Sequence, residues 1–530
     1  MDYVTDNMTY KILCTDGLSQ SGLKEIEESD VLELEFIETL PHDELVKKIE
    51  NYDGLIVRSA SKVTRDVIEA GKKLRIVARA GVGTDNIDLE AATEHGIFVI
   101  NAPSGNTLST AELTFAMILA LSRNIPQAAS SMAQGKWDRK RFKGSEVAYK
   151  TLGIIGLGRI GREVVLRAKS FKMNVVGFDP HLTDEQVESL GVKPLTKEAL
   201  LKSADFITVH TPLTEKTENM ISKEDFSVMK PGARVINCAR GGIVNEKDLA
   251  DALKQKKIAG AALDVYTKEP FEDPLFQGIE NCIMTPHLGA STVEAQDAVA
   301  SEIASYVNRF FREGISSTAV NLPASGAEAD QYAQHIRLAG KLGSLASQLL
   351  NAKVENIIFY SASKYPSLIM ISALEGALGC CSAEKVTLVN AVSQAKRCGV
   401  SFVEELIDQT SEFDSTFGVK LSGEGRSVEI WGAIFDDGAS KVVRYDDYRV
   451  DIDPVGSILF VKNEDRPGMI GRICSILGDD GVNIAEMQNV RKKPGADALT
   501  IIGIDSSVSQ GTLKIIEGEG GIGDVRYVSL

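Results

Sequence analysis

The chain has 530 residues, of which 43% are hydrophobic and 25% are charged, a composition typical of globular proteins. Because this length exceeds what one hydrophobic core supports, more than one domain is expected. A formal net charge of -16 excludes a sequence-independent nucleic-acid binder, which needs a local excess of Lys and Arg. No apolar run approaches the roughly 20 residues that cross a bilayer, and no signal segment opens the chain, so a cytoplasmic protein is expected. The seven cysteines form no C-x-x-C pair, which favours reduced thiols and no metal site.

The first 290 residues of the chain alternate strand-like and helix-like patterns. Residues 9–105 contain short apolar runs separated by helical stretches, which is typical of βαβ units with a parallel sheet. One long apolar helix is predicted over 109–135. A second series then opens at Thr151 and continues to about residue 290, with runs that are apolar on both faces, as in buried parallel strands.

The chain after residue 290 has a different organisation. A helix follows residue 290 and leads to a linker rich in Pro, Gly and Ala at 321–330. Residues 326–452 are mixed α/β and contain no recognisable catalytic constellation. In 456–530 the order strand, helix, strand, strand, helix, strand predicts a ferredoxin-like module.

The second series begins with a glycine motif in "TLGIIGLGRIG". Gly156, Gly158 and Gly161 follow a strand and open a helix, which permits a tight turn and close approach of a pyrophosphate to the helix N-terminus. Asp179 closes the next strand and can accept hydrogen bonds from ribose hydroxyls. Because its charge would repel a 2′-phosphate, the pattern predicts NAD rather than NADP as the cofactor.

Three later loops carry residues for hydride-transfer chemistry. Arg240, Glu269 and His287 each follow a different predicted strand, so we expect them at one edge of the sheet. Oxidation of an alcohol needs a base for the hydroxyl proton, a cation for the substrate carboxylate and an acid that tunes the base. The set predicts His287 as the base, with His210, also at a strand end, as the alternative.

These motifs resemble those of a known family. "GLGRIG", "INCARGG", "ALDVYTKEP" and "TPHLGAST" are similar to the signatures of the D-isomer-specific 2-hydroxyacid dehydrogenases, and "RAGVGTDNID", "NAPSGNTLSTAE" and the C-terminal module resemble its long-form phosphoglycerate dehydrogenases. The resemblance implies an α/β protein in which a Rossmann-type doubly wound parallel sheet is inserted in a smaller flavodoxin-like substrate domain. An α/β intervening domain and a ferredoxin-like βαββαβ ACT domain follow. The implied boundaries are 8–105 with 295–322 (substrate), 106–294 (NAD), 326–452 (intervening) and 456–530 (ACT).

The resemblance also implies roles for individual residues. Arg240 would bind the substrate carboxylate, His287 would be the acid and base, and Glu269 would pair with His287. Cofactor contacts are implied for Gly156, Gly158, Arg159, Ile160, Gly161, Asp179, Thr211, Cys238, Asp264, Gly289 and Ala290. Substrate contacts are implied for Arg58, Ser59, Gly81, Asn106 and, in the neighbouring subunit's site, Arg139.

Two arginines near these positions leave the interpretation open. Arg79 ends a predicted strand, as Arg58 does, and is a candidate cation for the substrate phosphate, but the resemblance assigns it no role. Arg139 lies in "KWDRKRFKG", a segment that is equally typical of a solvated basic helix end.

The implied reaction is NAD-dependent oxidation of 3-phosphoglycerate to 3-phosphohydroxypyruvate, the first step of L-serine biosynthesis, with 2-oxoglutarate reduction as a side activity. A glyoxylate or hydroxypyruvate reductase and, less favoured, an NAD-sensing corepressor are the alternatives. An ACT domain binds amino acids, so L-serine is the implied effector, held by Asn463, Asp465 and Asn483. The family further implies a homo-oligomer, at least a dimer and by expectation a tetramer, joined through the helix from Ser109.

Overall fold

Four β-sheets make up the framework of the computed structural model. The structure describes residues 9–314, 318–323, 326–362, 365–380, 382, 384–407, 416–493 and 495–530. The linker predicted at 321–330 lies in part outside the described residues.

The first sheet is parallel and has five strands. Its strands are β1 (Tyr10–Cys14), β2 (Leu32–Phe36), β3 (Gly54–Val57), β4 (Ile76–Arg79) and β5 (Phe98–Asn101). The helices between them are α1 (Lys24–Glu27), α2 (His42–Lys48), α3 (Arg65–Ala70) and α4 (Leu89–Glu94). The strand order is β2-β1-β3-β4-β5, the flavodoxin-like arrangement. Both faces are covered, because alternate residues of one strand, such as Leu55 and Ile56, belong to separate hydrophobic clusters.

Two helices connect the first sheet to the second, where the sequence predicted one. They are α5 (Thr107–Arg123) and α6 (Ile125–Ala133). Asn124 between them has a left-handed backbone with φ of 52°. Pro126 lacks the N–H that would continue the hydrogen-bond ladder, so the prediction of a single helix over 109–135 was wrong.

The second sheet is parallel and has seven strands. They are β6 (Thr151–Ile155), β7 (Asn174–Phe178), β8 (Lys193–Pro194), β9 (Phe206–Val209), β10 (Arg234–Asn237), β11 (Gly260–Leu263) and β12 (Cys282–Met284). Its helices are α7 (Arg159–Ser170), α8 (Asp184–Ser189), α9 (Lys197–Ser203), α10 (Lys223–Val228) and α11 (Glu246–Lys254). The order β12-β11-β10-β9-β6-β7-β8 reverses between β6 and β9. Ligands of doubly wound sheets bind in the crevice at this reversal, beyond the carboxyl ends of the strands.

The helix after the second sheet returns to the first one. It is α12 (Val293–Glu313). A Cβ built on Gly22 would lie 2.4 Å from the Ala300 Cβ, so the helix approaches the first unit closely. The rings of Phe98 and Phe310 are 5.1 Å apart. The chain segments before and after the second sheet therefore pack against each other in the unit that contains the first sheet.

The third sheet is mixed and has six strands. They are β13 (Asn356–Ser361), β14 (Ser401–Leu406), β15 (Thr416–Gly423), β16 (Arg426–Ile434), β17 (Ser440–Tyr445) and β18 (Tyr448–Ile452). Its helices are α13 (Gly326–Gln331), α14 (Ala333–Leu350), α15 (Ser367–Gly379) and α16 (Ala391–Cys398). β13 and β14 are parallel, and the other pairs are antiparallel.

The fourth sheet is antiparallel and has four strands. They are β19 (Ser457–Glu464), β20 (Ile484–Arg491), β21 (Asp497–Ile504) and β22 (Ile522–Ser529), with helices α17 (Met469–Asp479) and α18 (Gln510–Glu517). The order β20-β21-β19-β22 and the βαββαβ succession confirm the predicted ferredoxin-like fold. Short 3-10 helices lie at Gln20–Leu23, Ile49–Asn51 and Pro274–Phe276.

The described residues contain neither a membrane-spanning helix nor a cluster of metal ligands. Within these ranges no helix is both long enough and apolar enough to traverse a bilayer. The same part of the chain contains no group of three or more His, Cys, Asp or Glu side chains arranged to hold a metal ion.

Candidate active site

The glycine turn after β6 leaves open space at the N-terminus of α7. Gly156 has φ of 92°, and a Cβ there would lie 2.5 Å from the His210 carbonyl oxygen. A Cβ on Gly161 would lie 2.2 Å from the Gly156 oxygen, so neither position accepts another residue. Apart from its own chain neighbours, no described residue places a heavy atom within 4 Å of the Cβ position of Gly158. The free volume lies where a pyrophosphate would meet the N–H groups that begin α7, at Arg159 and Ile160.

Asp179 stands at the end of β7, next to this turn. Its carboxylate accepts hydrogen bonds from the N–H of Leu157 (2.9 Å) and the N–H of His181 (2.9 Å). These two contacts fix the carboxylate beside the glycine turn. The position suits hydrogen bonds from the hydroxyls of an adenosine ribose.

Buried polar atoms without partners line the same crevice. His210 Nδ1 and Thr211 Oγ1, directly after β9, are both buried and have no hydrogen-bond partner among the described residues. A Cβ on Gly156 would lie 2.9 Å from the Thr211 side chain, so these atoms adjoin the glycine turn. Since nearly all buried polar atoms in folded proteins are hydrogen-bonded, the orphaned pair fits a polar ligand such as NAD.

Asp264 after β11 holds the loop that follows β12. The side chain is fully buried, and its two oxygens accept three hydrogen bonds. The donors are Thr285 Oγ1 (2.6 Å), the Leu288 N–H (2.7 Å) and the Gly289 N–H (2.8 Å). The predicted contact of Asp264 with the nicotinamide amide stays a prediction, while its observed contacts anchor the loop of His287.

The other predicted cofactor neighbours surround this loop. Cys238 is buried, and burial raises the pKa of its thiol to about 12, so the group is a neutral contact surface. The carbonyl oxygen of Gly289 accepts hydrogen bonds from Ser109 Oγ (2.6 Å) and Thr110 Oγ1 (3.1 Å). Gly289 and the adjacent Ala290 are thereby fastened to the start of α5.

His287 and Glu269 form a close pair at this edge of the sheet. His287 Nδ1 lies 2.7 Å from Glu269 Oε2, and Glu269 Oε1 accepts a hydrogen bond from the Tyr266 N–H at 3.0 Å. His287 has φ of 55°, which is uncommon outside glycine, and its backbone N–H donates to the backbone carbonyl oxygen of Asp264 at 2.9 Å. Because a carboxylate only accepts, Nδ1 carries the proton and Nε2 has a free lone pair.

The alternative base, His210, has different surroundings. Its Nε2 lies 3.0 Å from Thr208 Oγ1, and no carboxylate partner accompanies it in the described chain. Burial lowers the pKa of His210 to about 4, which makes it a weak proton acceptor near neutral pH. The geometry therefore favours His287 over His210 as the base.

Arg240 reaches from the second sheet to the first. Asn237 Nδ2 donates to the Arg240 carbonyl oxygen at 2.8 Å and fixes the backbone after β10. The guanidinium donates through Nη1 to the Ala239 oxygen (2.7 Å) and through Nε to Asp85 Oδ2 (3.2 Å). Asp85 lies 155 residues earlier, in the segment after β4.

Arg240 meets two arginines of the first sheet there, and we call Arg58, Arg79 and Arg240 the arginine cluster. Arg79 Nε is buried and has no hydrogen-bond partner among the described residues. Burial, together with the charges of Arg240 and Arg58, lowers the pKa of Arg79 to about 10. A Cβ on Gly81 would lie 1.9 Å from Arg79 Nη1, so only glycine leaves room for this guanidinium. Positive charges crowded in this way suit a ligand with more than one anionic group.

The remaining predicted substrate residues differ in position. Asn106, directly before α5, has a buried Oδ1 with no partner among the described residues, again as expected beside a polar ligand. Ser59 is exposed next to Arg58. Arg139 is exposed after α6, and the described residues show no contact between it and the arginine cluster.

The three predicted regulatory residues lie around the β19–α17 turn and after α17. Asn463 is buried and accepts a hydrogen bond from Thr500 Oγ1 at 2.8 Å. Asp465 accepts from the Gly495 N–H (3.0 Å) and from Arg491 Nη1 (2.6 Å), and these two donors hold its pKa below the usual range. Asn483 Nδ2 donates to the carboxylate of Asp505. Each side chain thus has a partner within the module.

Comparisons with known proteins match this architecture. Residues 115–289 match the NAD-binding domain of D-isomer specific 2-hydroxyacid dehydrogenases, and residues 331–446 match the D-3-phosphoglycerate dehydrogenase intervening domain. A D-3-phosphoglycerate dehydrogenase of Methanocaldococcus jannaschii is 43% identical over 98% of this chain and 100% of its own length. Another, of Bacillus subtilis, is 40% identical over 98% of this chain and 100% of its own. This chain belongs to the D-3-phosphoglycerate dehydrogenase family.

A solved structure extends the likeness to the cofactor. The NAD-dependent formate dehydrogenase of Staphylococcus aureus, solved in complex with NAD, is 31% identical with a TM-score of 0.52. The match covers 57% of this chain and 96% of that one. Membership of the family, the fitted glycine turn and the NAD-binding domain agree on NAD as the cofactor.

The structure adds residues that the sequence interpretation left out. Arg79 had a signal, an arginine ending an otherwise apolar strand, but its approach to Arg240 depends on the fold. Asp16 had none: its carboxylate accepts from the Arg58 N–H (2.8 Å) and the Ser61 N–H (2.9 Å) and shapes the loop after β3. A carboxylate in a turn is too common in sequence to predict such a role.

Proposed function

We propose that this chain oxidises 3-phosphoglycerate to 3-phosphohydroxypyruvate with NAD, as the first step of L-serine biosynthesis. The observation that carries the proposal is the arginine cluster, in which the carboxylates of Asp85 and Asp16 act on three guanidinium groups. The cluster lies at the sheet edges that also bear the His287–Glu269 pair. In 3-phosphoglycerate, a carboxylate and a phosphate flank the carbon that reacts. An acidic chain with a net charge of -16 needs such a local cluster to bind this anion.

The chain's own residues divide the chemistry between them. Arg240 binds the carboxylate and fixes the position of C2, while Arg58 and Arg79 bind the phosphate. Nε2 of His287 accepts the proton of the C2 hydroxyl, and Glu269 stabilises the imidazolium that results. The nicotinamide ring of bound NAD supplies the acceptor for the hydride from C2. Positioning by the arginine cluster lowers the entropic cost of bringing these groups together.

Initial rates of NADH formation test the proposal directly. We expect kcat/KM for 3-phosphoglycerate to exceed that for D-glycerate by about 100-fold, since loss of each charge-assisted hydrogen bond costs roughly 1.5–3 kcal/mol. NAD should support the reaction better than NADP because Asp179 repels a 2′-phosphate. Equal kcat/KM for the two acids, or faster reduction of glyoxylate than oxidation of 3-phosphoglycerate, would reject the substrate assignment.

We further propose L-serine as an effector bound at the C-terminal module. Support comes from the ferredoxin-like fold of the module and from the polar side chains at its β19–α17 turn. Initial rates with and without millimolar L-serine test this, and an unchanged rate would reject it. Reduction of 2-oxoglutarate, which also has a carboxylate beside the reacting carbon, is proposed as a side reaction and is measured by NADH consumption.

We also propose that the chain forms a homo-oligomer and acts in the cytoplasm. Large apolar side chains are exposed on and around α5 and α6: Leu108 (59%), Ile125 (52%), Met132 (53%) and Trp137 (81%). Such a surface is typical of a subunit interface. Arg139 lies close in sequence to Trp137 and is proposed to reach the partner's site. Light scattering that gives a monomer mass would reject this arrangement.

A further inference from the structure

An ion pair crosses the cleft between the first and second sheets. Arg240 Nε lies 3.2 Å from Asp85 Oδ2, and the side chains are 27% and 69% exposed. An ion pair with so much exposure contributes little to folding stability. Its location on the proposed carboxylate-binding arginine indicates a different use.

The segment that carries Asp85 is held firmly. The side chain of the adjacent Asn86 donates to the carbonyl oxygens of Arg58 (2.7 Å) and Ser61 (2.7 Å). The Ile87 N–H closes a turn onto the Thr84 oxygen at 3.0 Å. Asp85 is therefore presented from a rigid support that is tied to the loop of another member of the arginine cluster.

Arg240 fits against this segment in one orientation. A Cβ on Gly83 would lie 2.0 Å from Arg240 Nη2, so the guanidinium packs directly on the backbone of Gly83. Asp85 engages Nε on one side and the Ala239 oxygen accepts from Nη1. The N–H groups left over are on Nη1 and Nη2, and they form the edge available to a carboxylate.

Asp85 also affects the charge of the cluster. Its carboxylate favours the protonated form of Arg79, whereas Arg240 and Arg58 disfavour it. Two carboxylates, those of Asp85 and Asp16, reduce the mutual repulsion of the three guanidinium groups and still leave an excess of positive charge for the substrate.

We propose that Asp85 is a positioning residue that holds the Arg240 guanidinium, through Nε, in the orientation that binds the substrate carboxylate. Because Asp85 and Arg240 belong to different sheets, the pair links approach of the two sheets to the orientation of Arg240. This inference rests on the proposed function, since it assigns the 3-phosphoglycerate carboxylate to Arg240.

The test compares Asp85→Ala and Asp85→Asn with Glu94→Ala in the full-length chain. Glu94 forms an exposed ion pair with Arg65 at 2.7 Å, away from Arg240, so its loss matches the loss of a surface charge pair. We expect Asp85→Ala to raise the KM for 3-phosphoglycerate about tenfold and to leave the KM for NAD within twofold. The amide oxygen of Asp85→Asn still accepts from Nε, so the KM of this variant for 3-phosphoglycerate should lie between those of the unmodified chain and Asp85→Ala. The KM of Glu94→Ala should equal that of the unmodified chain.

Two further measurements identify the cause. Calorimetric titration of the NADH-loaded chain with 3-phosphoglycerate should show about tenfold weaker binding for Asp85→Ala, independently of turnover. In an Arg240→Gln background, Asp85→Ala should have less than a twofold additional effect, because the two residues act as one unit. Thermal unfolding of each variant checks that the fold is retained.

The possible outcomes separate the inference from the proposed function. Unchanged KM and binding in Asp85→Ala, or the same tenfold loss in the Arg240→Gln background, would overturn the role of Asp85 while the proposed function stood. A lower KM for 3-phosphoglycerate in Asp85→Ala would show that Asp85 competes with the substrate for Arg240, and this result would also overturn the positioning role. Binding of 3-phosphoglycerate that depends on Asp85 without NADH formation would support the positioning role and reject the reaction. An unmodified chain that neither binds nor oxidises 3-phosphoglycerate would overturn both.

Discussion

The crevice between the first two sheets and the β19–α17 turn of the C-terminal module differ in how far their polar groups are satisfied. In the crevice, Arg79 Nε, Asn106 Oδ1 and Thr211 Oγ1 are buried and have no hydrogen-bond partners among the described residues. In the C-terminal turn, Asn463 and Asp465 have partners on neighbouring strands or loops. The crevice gains hydrogen bonds when a ligand enters, whereas the turn has to exchange those it already has.

This difference shows which of the two regions offers more binding energy to a ligand. The substrate proposed to bind at the arginine cluster would relieve the repulsion between the guanidinium groups and satisfy buried polar atoms, so we expect its contacts to be strong. A ligand at the C-terminal turn replaces contacts such as Arg491 with Asp465, so its net gain is smaller. We expect substitutions in the crevice to change turnover by orders of magnitude and those in the turn to leave basal turnover nearly intact.

The largest effect is expected for His287→Ala. Loss of the base should lower kcat by about 10²- to 10⁴-fold, because proton transfer from the C2 hydroxyl loses its acceptor. Binding of NAD, followed by fluorescence titration, should stay within twofold, since the glycine turn and Asp179 are untouched. Turnover equal to that of the unmodified chain would contradict the assignment, and His210→Gln is the matched comparison at the alternative base.

An intermediate effect is expected for Arg79→Met. The substitution removes a phosphate-binding charge, so kcat/KM for 3-phosphoglycerate should fall by about 10- to 100-fold. For D-glycerate, which has no phosphate, the same ratio should change less than threefold. Arg65→Met, on the exposed surface of α3, is the control for loss of an arginine. An equal loss with both acids would show that Arg79 does not act on the phosphate.

The smallest effect on basal turnover is expected for Asp465→Ala. Its partners, the Gly495 N–H and Arg491, lie in the C-terminal module, so kcat and KM without effector should stay within about twofold. The L-serine concentration that halves the rate should rise, if the carboxylate binds the serine ammonium. A tenfold loss of basal turnover with an unchanged response to L-serine would contradict the proposed difference between the crevice and the β19–α17 turn.

Much of the framework could be predicted from the sequence because it depends on local patterns. The apolar run Gly54–Val57 is wholly buried, as its lack of polar residues indicates, and the strands of the C-terminal module appear in the predicted order. Gly156 and Gly161 follow from the steric needs of a nucleotide turn. The close pair of His287 and Glu269 was also expected, and its 2.7 Å separation is observed, while the catalytic role stays a prediction.

Features that depend on distant contacts could not be predicted. The contact of Arg240 with Asp85 joins residues 155 positions apart, and no periodicity in the sequence relates them. The break at Asn124 is of another kind, because Pro126 is a local signal in the sequence that the prediction of a single helix did not use. Arg79 Nε is buried and has no hydrogen-bond partner among the described residues because of the space that Gly81 leaves beside the guanidinium, and the sequence does not show which arginine at a strand end will occupy such a space.

The most direct test of this account is a crystal structure of the chain with NADH and 3-phosphoglycerate bound together. The account predicts the C2 hydroxyl within hydrogen-bond distance of His287 Nε2, the carboxylate on the Nη edge of Arg240 and the phosphate between Arg58 and Arg79. A hydroxyl that faces His210, or a phosphate bound away from the arginine cluster, would contradict it.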